Sequence, residues 1–334
     1  MAFIHEYGLF FAKTVTLLLA FAALLLLLLG AGRSRGGRRE AHLELRRLND
    51  RYRDMVRRID HGLAKGRRAN RALNRQERRD RKLEARSGAR LPRLYVLDFH
   101  GDMRASAVDS LREEISAVLA AARRDDEVLV RLESPGGLVH SYGLAASQLA
   151  RLRERGIRLT VSVDRVAASG GYLMASVADY IVAAPFAIVG SIGVVAQLPN
   201  LNRFLKKHDV DFEMHTAGEY KRTLTLFGEN TDEGRAKFRD TLEETHEHFK
   251  AHLARYRPAL DVAAVATGEY WLGERARELG LVDDIGTSDD FLLERRDRMD
   301  LVSLTWRRRE GIARRVSLVL ESTLAAISRG AAGR

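Results

Sequence analysis

Between residues 92 and 300 the chain alternates short apolar runs with longer stretches in which apolar positions recur three and four residues apart. The apolar runs have the length and composition of buried strands and lie at 94–99, 128–132 and 159–163. The periodic stretches predict helices at 105–122 and 138–155. Strands and helices alternating at this interval are typical of βαβ units with a mostly parallel sheet, so the predicted fold class is α/β.

The same patterns continue through the second half of this block. They predict strands at 180–183, 187–189 and 212–216, and helices at 172–178, 200–207, 232–257, 262–266 and 274–279. The long helix carries His246, His248 and His252, whose spacing could suit a metal ion. No His-Glu-x-x-His pattern accompanies them, so we interpret them as part of a solvated charged face and predict no metal.

A run of 19 residues without a charge, 14–32, precedes this block. As a helix it would span about 28 Å, close to the thickness of a bilayer core. A cleaved signal peptide is the alternative, since small residues at 30–32 resemble a cleavage site. The length of the run and the arginines behind it favour an uncleaved anchor, and we predict that residues 1–32 are an N-terminal transmembrane segment.

Residues 33–91 are predicted to be a basic stalk. Positions 33–90 hold 21 Lys and Arg against 8 Asp and Glu, a net charge of +13 in a chain whose total is +11. Apolar residues three and four apart predict a short amphipathic helix or coiled coil: Leu45, Leu48, Tyr52, Met55 and Ile59. The basic charge suits anionic lipid headgroups, with a plain solvated linker as the alternative. A nucleic-acid arm is disfavoured because Tyr52 is the one aromatic residue in the segment.

The remaining charge pattern leaves the orientation in the membrane open. Arginines directly after the apolar run place that side in the cytoplasm by the positive-inside rule, whereas envelope substrates would require the opposite side. Residues 301–334 are predicted to be a basic C-terminal tail. The chain has no cysteine, which excludes disulfides, thiol catalysis and thiolate metal sites.

Ser169 lies where a predicted strand passes into a predicted helix. Gly170 and Gly171 permit a tight turn there and leave the first N–H groups of the helix uncovered. Such donors, at the positive end of the helix dipole, suit an oxyanion formed during acyl transfer. The alternative is that Ser169 caps the helix and that the glycines serve only packing.

Lys221 is the candidate base, because no histidine lies between His140 and His208. An ordinary lysine, with a pKa near 10.4, is protonated at pH 7, and burial against apolar neighbours would free its amine. The alternative is a surface lysine beside Glu219.

Four motifs occur together and in order: Ser-Pro-Gly-Gly at 134–137, Ala-Ala-Ser-Gly-Gly-Tyr at 167–172, Gly-Ser-Ile-Gly at 190–193 and Gly-Glu-Tyr-Lys-Arg at 218–222. Jointly they resemble the signal peptide peptidase A family of serine proteases, and within it most closely the SohB-type inner-membrane peptidases. The likeness also covers the N-terminal Glu-Tyr-Gly-Leu at 6–9 and the apolar run, and extends from about residue 94 to residue 289.

The resemblance implies a Clp protease/crotonase-like spiral of ββα units over residues 92–300. It implies Ser169 as nucleophile, Lys221 as general base and Ser191 as a hydroxyl that orients the lysine amine. Backbone donors to the oxyanion would come from Gly136 or Gly137 together with Gly170. No cofactor is implied, and relatives that form rings make a homo-oligomer the expected state.

These inferences predict a membrane-anchored serine endopeptidase of the bacterial inner (plasma) membrane, working through a Ser-Lys dyad. Its expected substrates are peptides such as spent signal peptides or misfolded envelope proteins. Two alternatives keep the fold and change the function: a crotonase-like acyl-CoA enzyme that uses the glycine amides against an enolate, and a catalytically inactive membrane scaffold.

Overall fold

The computed structural model describes residues 8–21, 41–64, 66, 70–71, 75, 79 and 90–307. Leu43–Trp306 form one compact unit, and the segments on either side of it form a second, in which residues 8–21 are helical. The predicted anchor is therefore described only as far as residue 21. Its remaining residues, most of the predicted linker and the tail after residue 307 lie outside the described residues. Among the described residues, no helix has both the length and the apolar character needed to cross a membrane.

Besides residues 8–21, the described residues form ten named strands and nine named helices. The strands are β1 (His42–Arg47), β2 (Arg93–His100), β3 (Glu127–Glu133), β4 (Arg158–Val163), β5 (Val166–Ala168), β6 (Tyr180–Ala183), β7 (Ile188–Gly190), β8 (Tyr270–Leu272), β9 (Asp284–Ile285) and β10 (Asp300–Arg307). The helices are α1 (Leu48–Leu63), α2 (Val108–Ala121), α3 (Val139–Glu154), α4 (Gly170–Ala175), α5 (Asn202–Lys207), α6 (Asp232–Tyr256), α7 (Val262–Val265), α8 (Gly273–Glu278) and α9 (Ser288–Arg295).

Seven strands form the larger sheet, in the order β1-β10-β2-β3-β4-β6-β9. Every pair from β10-β2 to β6-β9 is parallel, and Val128 at the centre lies opposite Tyr95 on one side and Leu159 on the other. Helices α2 and α3 make the crossovers from β2 to β3 and from β3 to β4. The predicted α/β class with a mostly parallel central sheet is confirmed.

Both faces of the larger sheet are covered, which explains why its central strands are apolar at almost every position. In β2, Tyr95, Leu97 and Phe99 belong to the large core cluster shared with α2 and α3. Leu94 and Val96 belong to a second cluster on the other face, shared with α9 and the start of α1. Successive side chains of a strand point to opposite faces, so one apolar run supplies both clusters.

A smaller sheet consists of β5, β7 and β8. Strands β5 and β7 are parallel, and β8 is antiparallel to β7. Strand β5 ends immediately before Ser169, and β7 ends immediately before Ser191. The smaller sheet therefore holds two of the predicted site residues at neighbouring strand ends.

Two segments outside the predicted 92–300 domain belong to the larger sheet. Strand β10 lies beside β2 and buries Leu301 and Leu304, so residues 301–307 are not part of a tail. Asn49 in α1 donates hydrogen bonds to the Arg296 carbonyl at 2.7 Å and the Met299 carbonyl at 2.9 Å, and accepts one from the Leu301 N–H at 2.7 Å. Residues 42–63 are therefore a strand and a helix attached to the domain, and the predicted boundaries at 91 and 300 are wrong there.

The predicted strand at 212–216 is also wrong. These residues are exposed and have no partner strand among the residues that the structure describes. Phe212 instead stacks on Phe227, with ring centroids 5.7 Å apart. Both belong to residues 194–231, hereafter the arm, which is held together by bonds from the Asn200 and Asn202 amides to carbonyls of residues 225–228.

Glu114 in α2 is a buried carboxyl group that, among the described residues, accepts one hydrogen bond, from the Trp306 N–H at 2.7 Å. Burial, together with the nearby Asp98, raises the pKa of Glu114 from an ordinary value of 4.5 to about 7. A carboxyl that is easier to protonate in the folded state than in the unfolded state destabilises the fold once both states are ionised.

We expect Glu114→Gln to stabilise the protein above pH 7 and to change little below pH 4.5, with the difference growing between these values. The amide keeps an acceptor for Trp306 and removes the buried charge. A pKa raised from 4.5 to about 7 corresponds to about 3 kcal/mol in the free energy of unfolding at pH 8. Denaturant unfolding of both proteins at pH 5 and pH 8 measures this, and an equal difference at the two pH values would contradict it.

Candidate active site

Ser169 occupies a strained turn between β5 and α4. Its backbone has φ of 52° and ψ of −118°, a conformation that a residue with a Cβ rarely adopts. The turn is held from both sides, because the Ser169 N–H donates to the Gly190 carbonyl at 2.8 Å and its carbonyl accepts from the Leu173 N–H at 2.9 Å. Backbone strain that the surrounding structure maintains in this way is concentrated at functional sites.

The loop at 134–137, which follows β3, lies directly against this turn. Gly136 has φ of +88°, and a Cβ on it would lie 2.7 Å from the Ala168 carbonyl oxygen and 2.8 Å from both the Ser169 Cβ and the Gly170 nitrogen. Ser134 joins the loop to β5 by donating to the Val166 carbonyl and accepting from the Ala168 N–H, at 2.8 and 3.0 Å. The structure thus brings two of the four sequence motifs into contact.

Of the predicted oxyanion donors, the N–H groups of Gly137 and Gly170 have no acceptor among the described residues. Gly136 differs, because its N–H donates to Ser134 Oγ at 3.1 Å. Gly170 begins α4, where N–H groups have no partner within the helix. Of the alternatives predicted for the oxyanion donors, the free groups are therefore those of Gly137 and Gly170.

Ser191 reaches the site through the backbone of β7. It follows Gly190, whose carbonyl accepts from the Ser169 N–H, and its own N–H donates to the Glu269 carbonyl at 2.6 Å. Its φ of 52° is again in the left-handed region. The two serines therefore stand at adjacent strand ends of the smaller sheet.

Lys221 is a predicted site residue that the structure leaves exposed to solvent. It lies in the arm, exposed, and its backbone N–H donates to the Gly218 carbonyl at 3.2 Å. Among the described residues no hydrogen bond joins its amine to Ser169 or Ser191. Neighbouring Tyr220 packs against α6, with the Lys237 amine 5.4 Å from its ring centroid.

Comparison with known proteins places this arrangement in a family. The family model for "Peptidase family S49 N-terminal" matches residues 2–149, and the model for "Peptidase family S49" matches residues 151–301. The chain is 47% identical over 320 residues to the probable protease SohB of Haemophilus influenzae, covering 92% of this chain and 90% of that protein. The chain belongs to peptidase family S49. It is of the SohB type, and this membership supports peptidase activity.

Further relatives of the S49 chain agree with this placement. It is 59% identical over 223 residues to the probable protease SohB of Buchnera aphidicola from Acyrthosiphon pisum, covering 67% of this chain and 66% of that protein. Among solved structures, a mutant of the membrane-bound stomatin-specific protease 1510-N covers 62% of this chain and 84% of its own, at 15% identity and a TM-score of 0.39. That last likeness supports no conclusion about the S49 chain.

Sequence reasoning missed part of the S49 site. Ser134 Oγ and Tyr142 Oη lie 2.6 Å apart beneath the loop at 134–137, hereafter the glycine loop. Both side chains are fully buried. The available sequence signal was a tyrosine on the inward face of a predicted helix, five residues after the end of the Ser-Pro-Gly-Gly motif. Periodicity alone interprets such a position as core packing.

His252 also corrects an expectation for the S49 chain. Its Nε2–H donates to the Leu173 carbonyl in α4 at 3.1 Å, and burial lowers the pKa of its imidazole. It is therefore not part of a solvated face, and it links α6 to the helix that follows Ser169. Among the described residues no group of three or more metal-binding side chains occurs.

Proposed function

We propose that the chain is a membrane-anchored serine endopeptidase in which Ser169 is the nucleophile and Lys221 the general base. The observation that carries this proposal is the strained Ser169 turn. The free N–H of Gly170 follows it directly, and the free N–H of Gly137 lies in the loop that touches it. A nucleophile held out at a strand-to-helix turn beside unpaired donors suits acyl transfer.

In the proposed reaction the neutral Lys221 amine takes the Ser169 hydroxyl proton as Ser169 Oγ attacks the scissile carbonyl. The N–H groups of Gly137 and Gly170 bond to the oxyanion of the tetrahedral intermediate. The lysine then gives its proton to the leaving amine, and an acyl-enzyme remains. Water then attacks the acyl carbonyl while the same lysine takes its proton. The bond between the acyl group and Ser169 Oγ breaks, the second product leaves, and the lysine returns the proton to Ser169 Oγ.

The exposed position of Lys221 supports a homo-oligomer as the working form. The arm exposes large apolar side chains throughout its length: Val195, Leu198, Leu201, Phe204, Val210, Phe212, Met214, Tyr220 and Phe227. A concentration of exposed apolar side chains in one segment is typical of an interface. Packing of the arm, against a second copy or over its own chain, would bury Lys221 and bring it to a serine.

The proposed fold family is the Clp protease/crotonase-like spiral. It is supported by how consecutive strands are shared between the two sheets. Strand β4 belongs to the larger sheet and β5 to the smaller one before α4, and β6 and β7 repeat this division. After β3, Ser134 forms an isolated parallel bridge with Ala167 of β5, so the chain there also passes along the smaller sheet. Two turns thus supply one strand to each sheet, and the turn before them supplies one strand and one bridge.

We propose further that residues 14–32 anchor the chain in the bacterial inner membrane and that its substrates are membrane-derived peptides or misfolded envelope proteins. The 19 uncharged residues support the anchor. Helix α1 supports contact with lipid, because its last three turns expose Met55, Val56, Ile59 and Leu63 on one side. These residues lie within the segment that carries a net charge of +13.

We expect the chain shortened to residues 33–334 to bind vesicles of anionic lipid at low salt and to dissociate as salt rises, because exposed charges are screened within about 10 Å at 0.1 M. Replacing Ile59 and Leu63 with glutamate is expected to weaken this binding. Leu144→Glu, at an exposed apolar position of α3, is the matched control. Co-sedimentation measures binding, and equal binding to neutral vesicles would contradict the charge-based explanation.

A fluorophosphonate probe tests the proposed peptidase. Labelling of Ser169, located by mass spectrometry of the digested protein, together with hydrolysis of a fluorogenic peptide, is the expected result. Labelling without peptide hydrolysis but with turnover of an acyl-CoA would favour the crotonase-like alternative. The absence of both labelling and hydrolysis in the oligomeric protein would favour the inactive scaffold.

A further inference from the structure

Beneath the glycine loop runs a chain of hydrogen bonds whose direction is fixed. Tyr142 Oη donates to the Asp102 carbonyl at 2.8 Å, because a carbonyl only accepts. This bond uses the one proton of the Tyr142 hydroxyl. In the 2.6 Å contact between Ser134 Oγ and Tyr142 Oη, Ser134 is therefore the donor. Ser134 Oγ then accepts from the Gly136 N–H at 3.1 Å.

This chain is enclosed and has no room to rearrange. Ser134 and Tyr142 are fully buried. A Cβ on Gly101 would lie 2.3 Å from Ser134 Oγ and 2.4 Å from Tyr142 Oη, so the backbone of residue 101 closes the remaining side. Burial also raises the pKa of Tyr142, which keeps its hydroxyl protonated as a donor. A buried hydroxyl without a partner is costly, so a single hydrogen-bonded arrangement is favoured.

Hydrogen bonds fix the glycine loop on both sides of the Gly137 N–H group. The Gly136 N–H is held by Ser134 Oγ, and the Leu138 N–H donates to the Met103 carbonyl at 2.9 Å. Between them the Gly137 N–H has no acceptor among the described residues. The N–H groups of Gly136 and Leu138 are therefore hydrogen-bonded, and the Gly137 N–H between them is free to bind an oxyanion.

We propose that Ser134 and Tyr142 are positioning residues that aim the Gly137 N–H at the oxyanion. Among the described residues neither side chain has a hydrogen bond to Ser169, and both act through the orientation of the Gly136–Gly137 backbone. The inference rests on the proposed function, since it concerns the oxyanion of that reaction. Donors that are fixed before the reaction stabilise the transition state more than the bound substrate.

Tyr142→Phe and Ser134→Ala test this proposal. Each is expected to lower kcat for a fluorogenic peptide by about 10- to 100-fold, the range between a displaced and a lost oxyanion donor. KM is expected to change by less than about threefold, because ground-state binding is not involved. Affinity for a peptide boronate, whose adduct with Ser169 places a negatively charged oxygen at the oxyanion position, should fall in parallel with kcat. Affinity for the product peptide should not fall.

Tyr172→Phe is the matched control, because Tyr172 is equally buried and its hydroxyl donates to the distant Leu281 carbonyl at 2.8 Å. It is expected to lose stability without the parallel loss of kcat and boronate affinity. End-point fluorophosphonate labelling counts competent Ser169, so that kcat is expressed per active site in every variant.

The proposal is overturned if Tyr142→Phe or Ser134→Ala folds and keeps the kcat and boronate affinity of the unmodified chain. It is also overturned if Tyr172→Phe loses both to the same extent, because the effect would then be general destabilisation. A wild-type chain that neither hydrolyses peptide nor reacts with the probe would instead remove the proposed function itself.

Discussion

Replacing Ser169 with alanine is expected to lower kcat/KM for a peptide substrate by about a thousandfold or more, because the oxygen that forms the acyl bond is lost. Ser169→Gly should be equally inactive and yet more stable than the unmodified chain. Ser169 holds φ of 52°, which glycine adopts without strain, so a gain of about 1 kcal/mol in the free energy of unfolding is expected. Peptide kinetics and denaturant unfolding measure the two effects separately.

Lys221→Ala and Lys221→Arg are each expected to lower kcat/KM for the peptide as much as Ser169→Ala does. A general base must be neutral, and a guanidinium group stays protonated throughout the accessible pH range, so arginine cannot substitute for the lysine. Replacing His100, His140, His208 or His215 singly with glutamine should leave kcat/KM for the peptide unchanged. Loss of activity in one of these variants would give the base role to that histidine.

A mixture of the two inactive variants shows how Lys221 reaches a serine. If the arm packs against a second copy, Ser169→Ala and Lys221→Ala subunits assembled together regain part of the activity. If the arm folds over its own chain, the mixture stays inactive although each homo-oligomer still forms. Full activity of Lys221→Ala alone would remove the dyad under either arrangement.

The central part of the fold could be predicted because its signals are local. Strands β2, β3 and β4 are short apolar runs, since both faces of the sheet are covered, and the crossover helices show their buried face in every turn. Strand β10 was not predicted because the charged residues 294–298 stand just before it, and because its burial depends on β1 and β2, which lie on either side of it. Pairing between strands that are far apart in the chain produces no local pattern in the sequence.

The site shows the same division between local and distant signals. The turn at Ser169 could be predicted from a strand, two glycines and a helix that are consecutive in the chain. The contact between Gly136 and Ser169, and the hydrogen bond that engages the Gly136 N–H, depend on how β3 and β5 lie together. The surroundings of Lys221 could not be predicted, because they depend on what the exposed arm packs against.

Gly136→Ala is expected to lower kcat by about 100-fold or more, through the backbone rather than through any lost side chain. At φ of +88° an alanine is strained, and its Cβ would lie within 2.8 Å of backbone atoms of residues 168 and 170. Backbone atoms in a packed turn cannot move aside as a flexible side chain can. The loop must therefore shift, and it carries the free Gly137 N–H away from the oxyanion position.

Two other glycines separate the causes of that loss. Gly156 has φ of +72° with nothing within 4 Å of a Cβ, so Gly156→Ala introduces backbone strain without a clash and should lower stability while kcat stays unchanged. Gly143, inside α3, has neither a positive φ nor a close neighbour, and Gly143→Ala should raise stability by up to about 1 kcal/mol through helix propensity. If Gly136→Ala, assayed well below its Tm and per labelled serine, matched Gly156→Ala in kcat, close packing of the loop on Ser169 would not be required for catalysis.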